Sequence, residues 1–322
     1  METMEKQQNF LPKFFSFMRD SYEPGLHFGF AALWFLGLIA TFVTINGTPL
    51  TWVVSGKTLF AILTLFLVLF VLRCVDEIKD YEYDKVHSPD RPLVVGSVTE
   101  DDLFAFNILS TAVVVFLNLF LSASLLAIAL LDILYGIYLI WVERFSPKVR
   151  NSLYYSLLVT YPVNILLSVY TLFFFMGEYG VGFKPDQLWV ILAFALAFLH
   201  YEFSRKNAWP QHAKAGQRLY SATLTTPGTL LISNLFALLA PLIILLVSQP
   251  WLGSSPVMIA GLCLLLPYVC TLIGTVCFVR SRKKPKVEKK VLMPFANLYL
   301  VLFYLSLIVF GAVSNRVEFH LF

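Results

Sequence analysis

The chain has 322 residues, of which 58% are hydrophobic and 14% charged, and its formal net charge is +4. A globular domain averages about 45–50% apolar and about 25% charged residues, so the composition excludes most water-soluble folds and points to a membrane. At about 20 residues per spanning helix, the length fits one integral-membrane domain of about eight to ten helices.

Residues 1–24 are mixed and polar, without the positive, apolar, then small-residue order of a cleavable signal peptide, so the first span is expected to serve as its own insertion signal. Nine apolar segments of spanning length follow, at about 25–45, 57–75, 103–119, 122–142, 152–175, 187–203, 228–247, 256–279 and 291–313. The predicted organisation is a cytoplasmic segment 1–24, a nine-helix transmembrane domain 25–313 and a short tail 314–322. The runs are continuous and do not alternate with period two, which excludes a β-barrel. Leu119 to Ser124 leave room only for a tight helical hairpin, and Pro162, Pro241 and Pro267 predict kinks within the fifth, seventh and eighth spans.

Sorted by loop, the basic residues fall on one side. Lys6, Lys13, Arg19, Arg73, Lys79, Lys85, Arg91, Arg144, Lys148, Arg150, Arg205, Lys206, Lys214, Arg218 and the run Arg280 to Lys290 share a face if the N-terminus is inside, leaving Lys57, Lys184 and Arg316 opposite. This asymmetry predicts a cytoplasmic N-terminus. The run Arg280 to Lys290 reads either as a topology signal or as a recruiter of anionic lipid or phosphorylated substrate. Cys74, Cys263, Cys270 and Cys277 lie in or beside apolar runs without a CxxC pair, against both a disulfide framework and a zinc site.

At the end of the second span, Asp76, Asp80 and Asp84 recur every four residues, a stripe climbing about 12 Å of helix. Glu77 sits three residues from Asp80 on the same face. Lys79 and Lys85 are offset from the stripe, so side-chain pairing is a poor way to neutralise it. Mg2+ suits it better, because that ion takes one or two carboxylates, keeps some waters and completes its shell with phosphate oxygens. A solvated acidic helix end is the alternative. Pro89 and Pro92 stiffen the following turn around Arg91, whose planar donor fork suits phosphate. Thr99 and Asp102 form a capping box opening the third span, a structural role for Glu100 to Asp102.

A second polar cluster, His200-Tyr201-Glu202-Phe203-Ser204-Arg205-Lys206, ends the sixth span. Glu202 either pairs locally with Arg205 and Lys206 or holds a second Mg2+ while Arg205 or Lys206 contacts a diphosphate. His200 and His212 read as bases or as plain hydrogen-bonding residues.

The segment Asp76-Glu77-x-x-Asp80-x-x-x-Asp84, followed by Asp90-Arg91-Pro92-Leu93-x-x-Gly96, resembles the first aspartate-rich motif of the UbiA superfamily of intramembrane prenyltransferases. Asp76 stands where that family usually has Asn and Glu77 where it has Asp, and both replacements keep oxygen ligands. The resemblance implies an all-α, nine-helix bundle with Mg2+ as cofactor. It also implies ionisation of an isoprenyl diphosphate between two acidic motifs, with Asp76, Asp80 and Asp84 catalytic and its tail in a tunnel open to the bilayer. Asp76, Glu77, Asp80, Asp84 and Glu202 are then the metal ligands, and Arg91, Arg205 and Lys206 the diphosphate contacts. Tyr135, Tyr138, Arg144 and His200 are expected at the pocket. The second motif departs from the family's three acids: Glu202, Lys206 and Pro210 stand at that spacing. Aromatic residues, thirty of them Phe, offer ring faces to an allylic cation.

The leading expectation is a prenyltransferase acting on an apolar or aromatic acceptor. A terpene cyclase of the same superfamily needs no acceptor. A transporter or silent lipid-binding protein is the reading from another class, against which stand the absence of internal repeats and the crowding of the acids at one face. Neither nucleic acid nor an obligate protein partner is indicated.

Overall fold

The computed structural model describes residues 10–47, 50–284 and 291–321. Among them run helices α1 (Phe10–Phe17), α2 (Pro24–Ile45), α3 (Gly56–Lys79), α4 (Tyr81–His87), α5 (Glu100–Leu119), α6 (Ala123–Phe145), α7 (Pro147–Asn151), α8 (Leu153–Thr160), α9 (Pro162–Tyr179), α10 (Asp186–Arg205), α11 (Ser221–Leu224), α12 (Thr226–Ser248), α13 (Ser255–Leu262), α14 (Leu266–Ser281) and α15 (Met293–Ser314). Two three-residue strands, β1 (Trp52–Val54) and β2 (Val317–Phe319), pair in parallel.

Nine helical segments of the described residues are long and apolar enough to cross a bilayer: α2, α3, α5, α6, Leu153–Tyr179, α10, Thr226–Leu252, Ser255–Ser281 and α15. The protein is therefore an integral, multi-pass, all-α membrane protein, as its composition predicts. Pro162 opens α9 after the break at Tyr161, and Pro267 sits in the first turn of α14 after a 3-10 turn at Cys263–Leu265. Pro241, by contrast, lies inside α12 without ending it. The capping box is formed: Thr99 Oγ1 accepts from Asp102 N at 3.2 Å, and Asp102 accepts from Thr99 N at 2.9 Å. Ser122 caps α6 by accepting from Leu125 N, which completes the tight α5–α6 hairpin.

The chain divides into two compact units, residues 1–31 with 57–167, and residues 32–56 with 168–322. In the first unit, Phe17, Tyr22, Phe70, Cys74, Ile78, Leu93, Val98, Leu103 and Phe106 form one apolar cluster. It fastens the N-terminal segment to α3 and α5, with Tyr22 Oη donating to Phe66 O of α3 and Lys13 pairing with Asp102 of α5 at 2.8 Å. In the second unit, α10 packs against α12 through a polar seam. His200 Nδ1 lies 2.9 Å from Ser233 Oγ and its Nε2 3.3 Å from Thr271 Oγ1, while Ser204 and Ser233 hydroxyls meet at 2.7 Å. Such bonds hold helices together where lipid offers no hydrophobic drive.

Buried Asp132 in the first unit has no such partner. Asp132 is 2% exposed in mid-α6, and both its carboxylate oxygens lack a hydrogen bond. It shares a face with Gly136, where α6 closes on α3 so tightly that an added Cβ would lie 2.6 Å from Leu72 Cδ2. An unbonded buried polar group costs about 1–3 kcal/mol. Asp132→Leu should therefore raise the unfolding temperature of the detergent-solubilised protein, and a lowered temperature would show that the carboxyl has a partner.

Candidate functional site

The acid-rich segment lies in the first unit, where α3 gives way to α4. α3 ends at Lys79 and α4 begins at Tyr81, yet Asp80 N still bonds Asp76 O at 2.9 Å and Asp84 N bonds Asp80 O at 2.8 Å. The helical period thus runs through the join, and Asp76, Asp80 and Asp84 remain one stripe. Their burial differs: Asp76 is exposed, Asp80 half-buried and Asp84 buried.

The deepest acid is Glu77, whose side chain is fully buried. Its Oε1 accepts from Arg73 and from Arg91 Nη1, the latter at 3.1 Å. Arg73 Nε also donates to Ser21 O at 3.0 Å, and Arg91 Nε lies 3.8 Å from Asp84 Oδ2. Glu77 Oε2 is buried without a hydrogen-bond partner, and the Asp76 and Asp84 charges both act on this carboxylate.

Apolar anchoring puts Arg91 there. Leu93 and Val98 sink into the cluster with Phe70, Cys74 and Ile78 of α3, and Gly96 reverses the chain between them at φ +75°, a conformation favouring glycine. Ser97 N and Val95 N close the turn onto Pro92 O and Arg91 O.

Lys79 behaves otherwise than its offset from the stripe predicts, and Lys85 stays off the stripe. Lys79 Nζ reaches Asp76 Oδ1 at 2.8 Å, and Lys85 reaches Glu82 at 2.9 Å. Both pairs span three residues, a spacing that makes neighbours on a helix, and the flexible four-carbon stem of lysine reaches across it. Lys79 also lies in the fields of Asp80 and of Glu143, a buried carboxylate at the end of α6. Glu143 escapes a search by spacing, and its only sequence signal is an acid near the end of an apolar span.

Burial, followed by the nearby Asp80 charge, holds the Asp84 carboxyl above the ordinary carboxylate range. A raised carboxyl favours the folded state below its unfolded value, and that contribution is lost as pH rises through the raised value. A cation beside Asp84 reverses this preference by favouring the ionised form.

Among the described residues no three His, Cys, Asp or Glu side chains converge as ready metal ligands. Mg2+ commonly takes one or two carboxylates and completes its shell with water and phosphate. The donors here are all hard oxygens, and the orphaned Glu77 Oε2 amid like charges is the atom a cation would satisfy. The residues fit Mg2+.

The remaining predicted residues are placed as follows. Tyr135 of the first unit is half-buried and donates to Val159 O at 2.7 Å, whereas Tyr138 and Arg144 are exposed, Tyr138 stacking on Trp141. In the second unit, Glu202 is buried and both its oxygens are engaged, by Arg205 at 2.5 Å and Lys206 at 2.7 Å. The local ion pair is thus formed. His200 is tied into the α10–α12 seam, and His212 Nε2 lies 3.0 Å from Lys284 O.

Neither a family model nor a curated protein matches the chain by sequence. Its structure is similar to that of a UbiA homologue from Aeropyrum pernix K1, with a TM-score of 0.62 and 15% identity over 89% of this chain and 97% of the other. It is also similar to a structure described for digeranylgeranylglyceryl phosphate synthase in membranes, with a TM-score of 0.56 and 16% identity over 94% of this chain and 98% of the other. Both are UbiA superfamily proteins, and the fold of this chain is UbiA-like.

Proposed function

We propose that the chain is a Mg2+-dependent intramembrane prenyltransferase of the UbiA type, which ionises an isoprenyl diphosphate and passes the prenyl group to an apolar or aromatic acceptor. The observation that carries this reading is Glu77, held fully buried by two arginines with one oxygen unbonded amid the aspartates. Such an arrangement is costly to maintain in the absence of a ligand. UbiA-like neighbours with this fold support it. The one-sided basic residues support a cytoplasmic acidic segment and N-terminus.

Asp76, Asp80 and Asp84, with Glu77 Oε2, would hold the metal. A Mg2+ ion bound there would supply positive charge against the leaving diphosphate. Arg91, 38% exposed, has N–H donors left beyond those facing Glu77 and Asp84, and these bind the leaving diphosphate. Arg73 holds Glu77 in place through their ion pair, and so acts as a positioning residue. In the second unit, Arg205 and Lys206 both flank Glu202 and are cations of the kind that contact a phosphate. Glu202 itself is occupied by those two cations, so one metal on the first acidic segment is proposed.

A terpene cyclase remains the second reading, because the Glu202 segment lacks the acids usual in the family's second motif. Incubating the lipid-reconstituted protein with Mg2+ and common prenyl diphosphates, with and without aromatic acceptors, separates the two. A prenylated acceptor is expected. A cyclic hydrocarbon formed without acceptor would overturn the transferase reading in favour of the cyclase.

A further inference from the structure

We propose that the second unit carries a docking surface for anionic lipid headgroups, built jointly by the loop after α10 and the end of α14. These segments are far apart in sequence but are pinned together by specific bonds. Trp209 stacks on Phe278 with ring centroids 5.2 Å apart and donates its indole N–H to Phe278 O at 2.9 Å. Gln211 Nε2 donates to Arg282 O at 2.8 Å, and His212 Nε2 meets Lys284 O at 3.0 Å. The Arg282 guanidinium lies 5.3 Å from the Trp209 ring centre.

The pinning gathers Lys214 of the loop with Arg280, Arg282, Lys283 and Lys284, all exposed. No Asp or Glu occurs in the sequence from Phe203 to Lys284. A topology signal requires cations in a loop, but not two loops hydrogen-bonded so that their cations share a surface. The surface lies where the Ser255–Ser281 span ends, the level of the lipid headgroups. Exposed cations hold a free phosphate weakly through screening water. A leaflet instead presents many anionic groups at once, each Lys or Arg near it contributing additively. The occupant is therefore an anionic phospholipid of the adjoining leaflet.

The test reconstitutes the full chain in nanodiscs of phosphatidylcholine with a minority of phosphatidylglycerol, then counts retained lipids by native mass spectrometry after extraction. The wild type should retain phosphatidylglycerol preferentially. Lys283→Gln with Lys284→Gln should lower that preference roughly 30-fold, the effect of two charges at the headgroup layer, while the Lys→Arg pair keeps it. Equal retention of both lipids by the wild type, or an unchanged preference in the Gln pair, overturns the proposal. Displacement of the lipid by inorganic diphosphate, beyond that caused by sodium chloride of equal ionic strength, assigns the surface to soluble phosphate and also overturns it. Independently of any variant, the wild-type preference should collapse as salt rises, and its persistence in high salt counts against the proposal.

Discussion

Asp80→Ala should lower the rate of diphosphate release from a prenyl diphosphate by roughly 10^2–10^3-fold, the usual loss when one preorganised charge is removed from a site where transition-state charge develops. Asp80 is the middle acid of the stripe, one helical turn from Asp76 and from Asp84, and its charge acts on the Asp84 carboxyl. It is half-buried, so the fold should survive. Glu82→Ala is the control within the same segment. Glu82 is 79% exposed and pairs outward with Lys85, so its loss should change the rate less than about two-fold, in keeping with the small worth of exposed pairs. Measuring both rates at saturating Mg2+ checks the assignment. Equal rates for the two variants would remove the stripe from the chemistry.

The largest effect on stability is expected from Arg73→Ala. Removing one partner of a buried ion pair costs about 3–5 kcal/mol, because an uncompensated charge remains behind. Glu77 keeps Arg91, so the lower end, about 3 kcal/mol, applies. Arg73→Met combined with Glu77→Leu should recover most of that loss, since apolar replacements of a buried pair are often neutral or stabilising. The double variant should nevertheless stay inactive, because the carboxylate with the unbonded oxygen is gone. Denaturation in detergent together with diphosphate release separates these results. An Arg73→Ala protein as stable as the wild type would mean that the pair does not form in the membrane.

The spans were legible because a bilayer demands long apolar helices, and the Thr99–Asp102 box and the tight α5–α6 hairpin were legible because capping is local. The acidic stripe was equally local, a four-residue period carried through the single-residue break at Asp80. Relations that depend on tertiary packing were not readable. Arg91 reaches Glu77 across fourteen positions only because Leu93 and Val98 are buried against α3. Glu143 comes near Lys79 because α6 packs closely on α3 at Gly136. Lys79 reaches Asp76 of the stripe despite its expected offset, whereas Lys85 pairs off the stripe with Glu82. Which alternative Glu202 takes was open in the sequence, and the pairing with Arg205 and Lys206 is what forms. The distal part of the basic run, at Lys286, Lys289 and Lys290, lies outside the described residues.

The most direct test of the account is the release of inorganic diphosphate from prenyl diphosphates by the lipid-reconstituted protein, with Mg2+ and with the metal chelated. Release that requires Mg2+ and falls to background on chelation is the predicted result. Release unaffected by chelation, or none from any common prenyl diphosphate with or without acceptor, would contradict it.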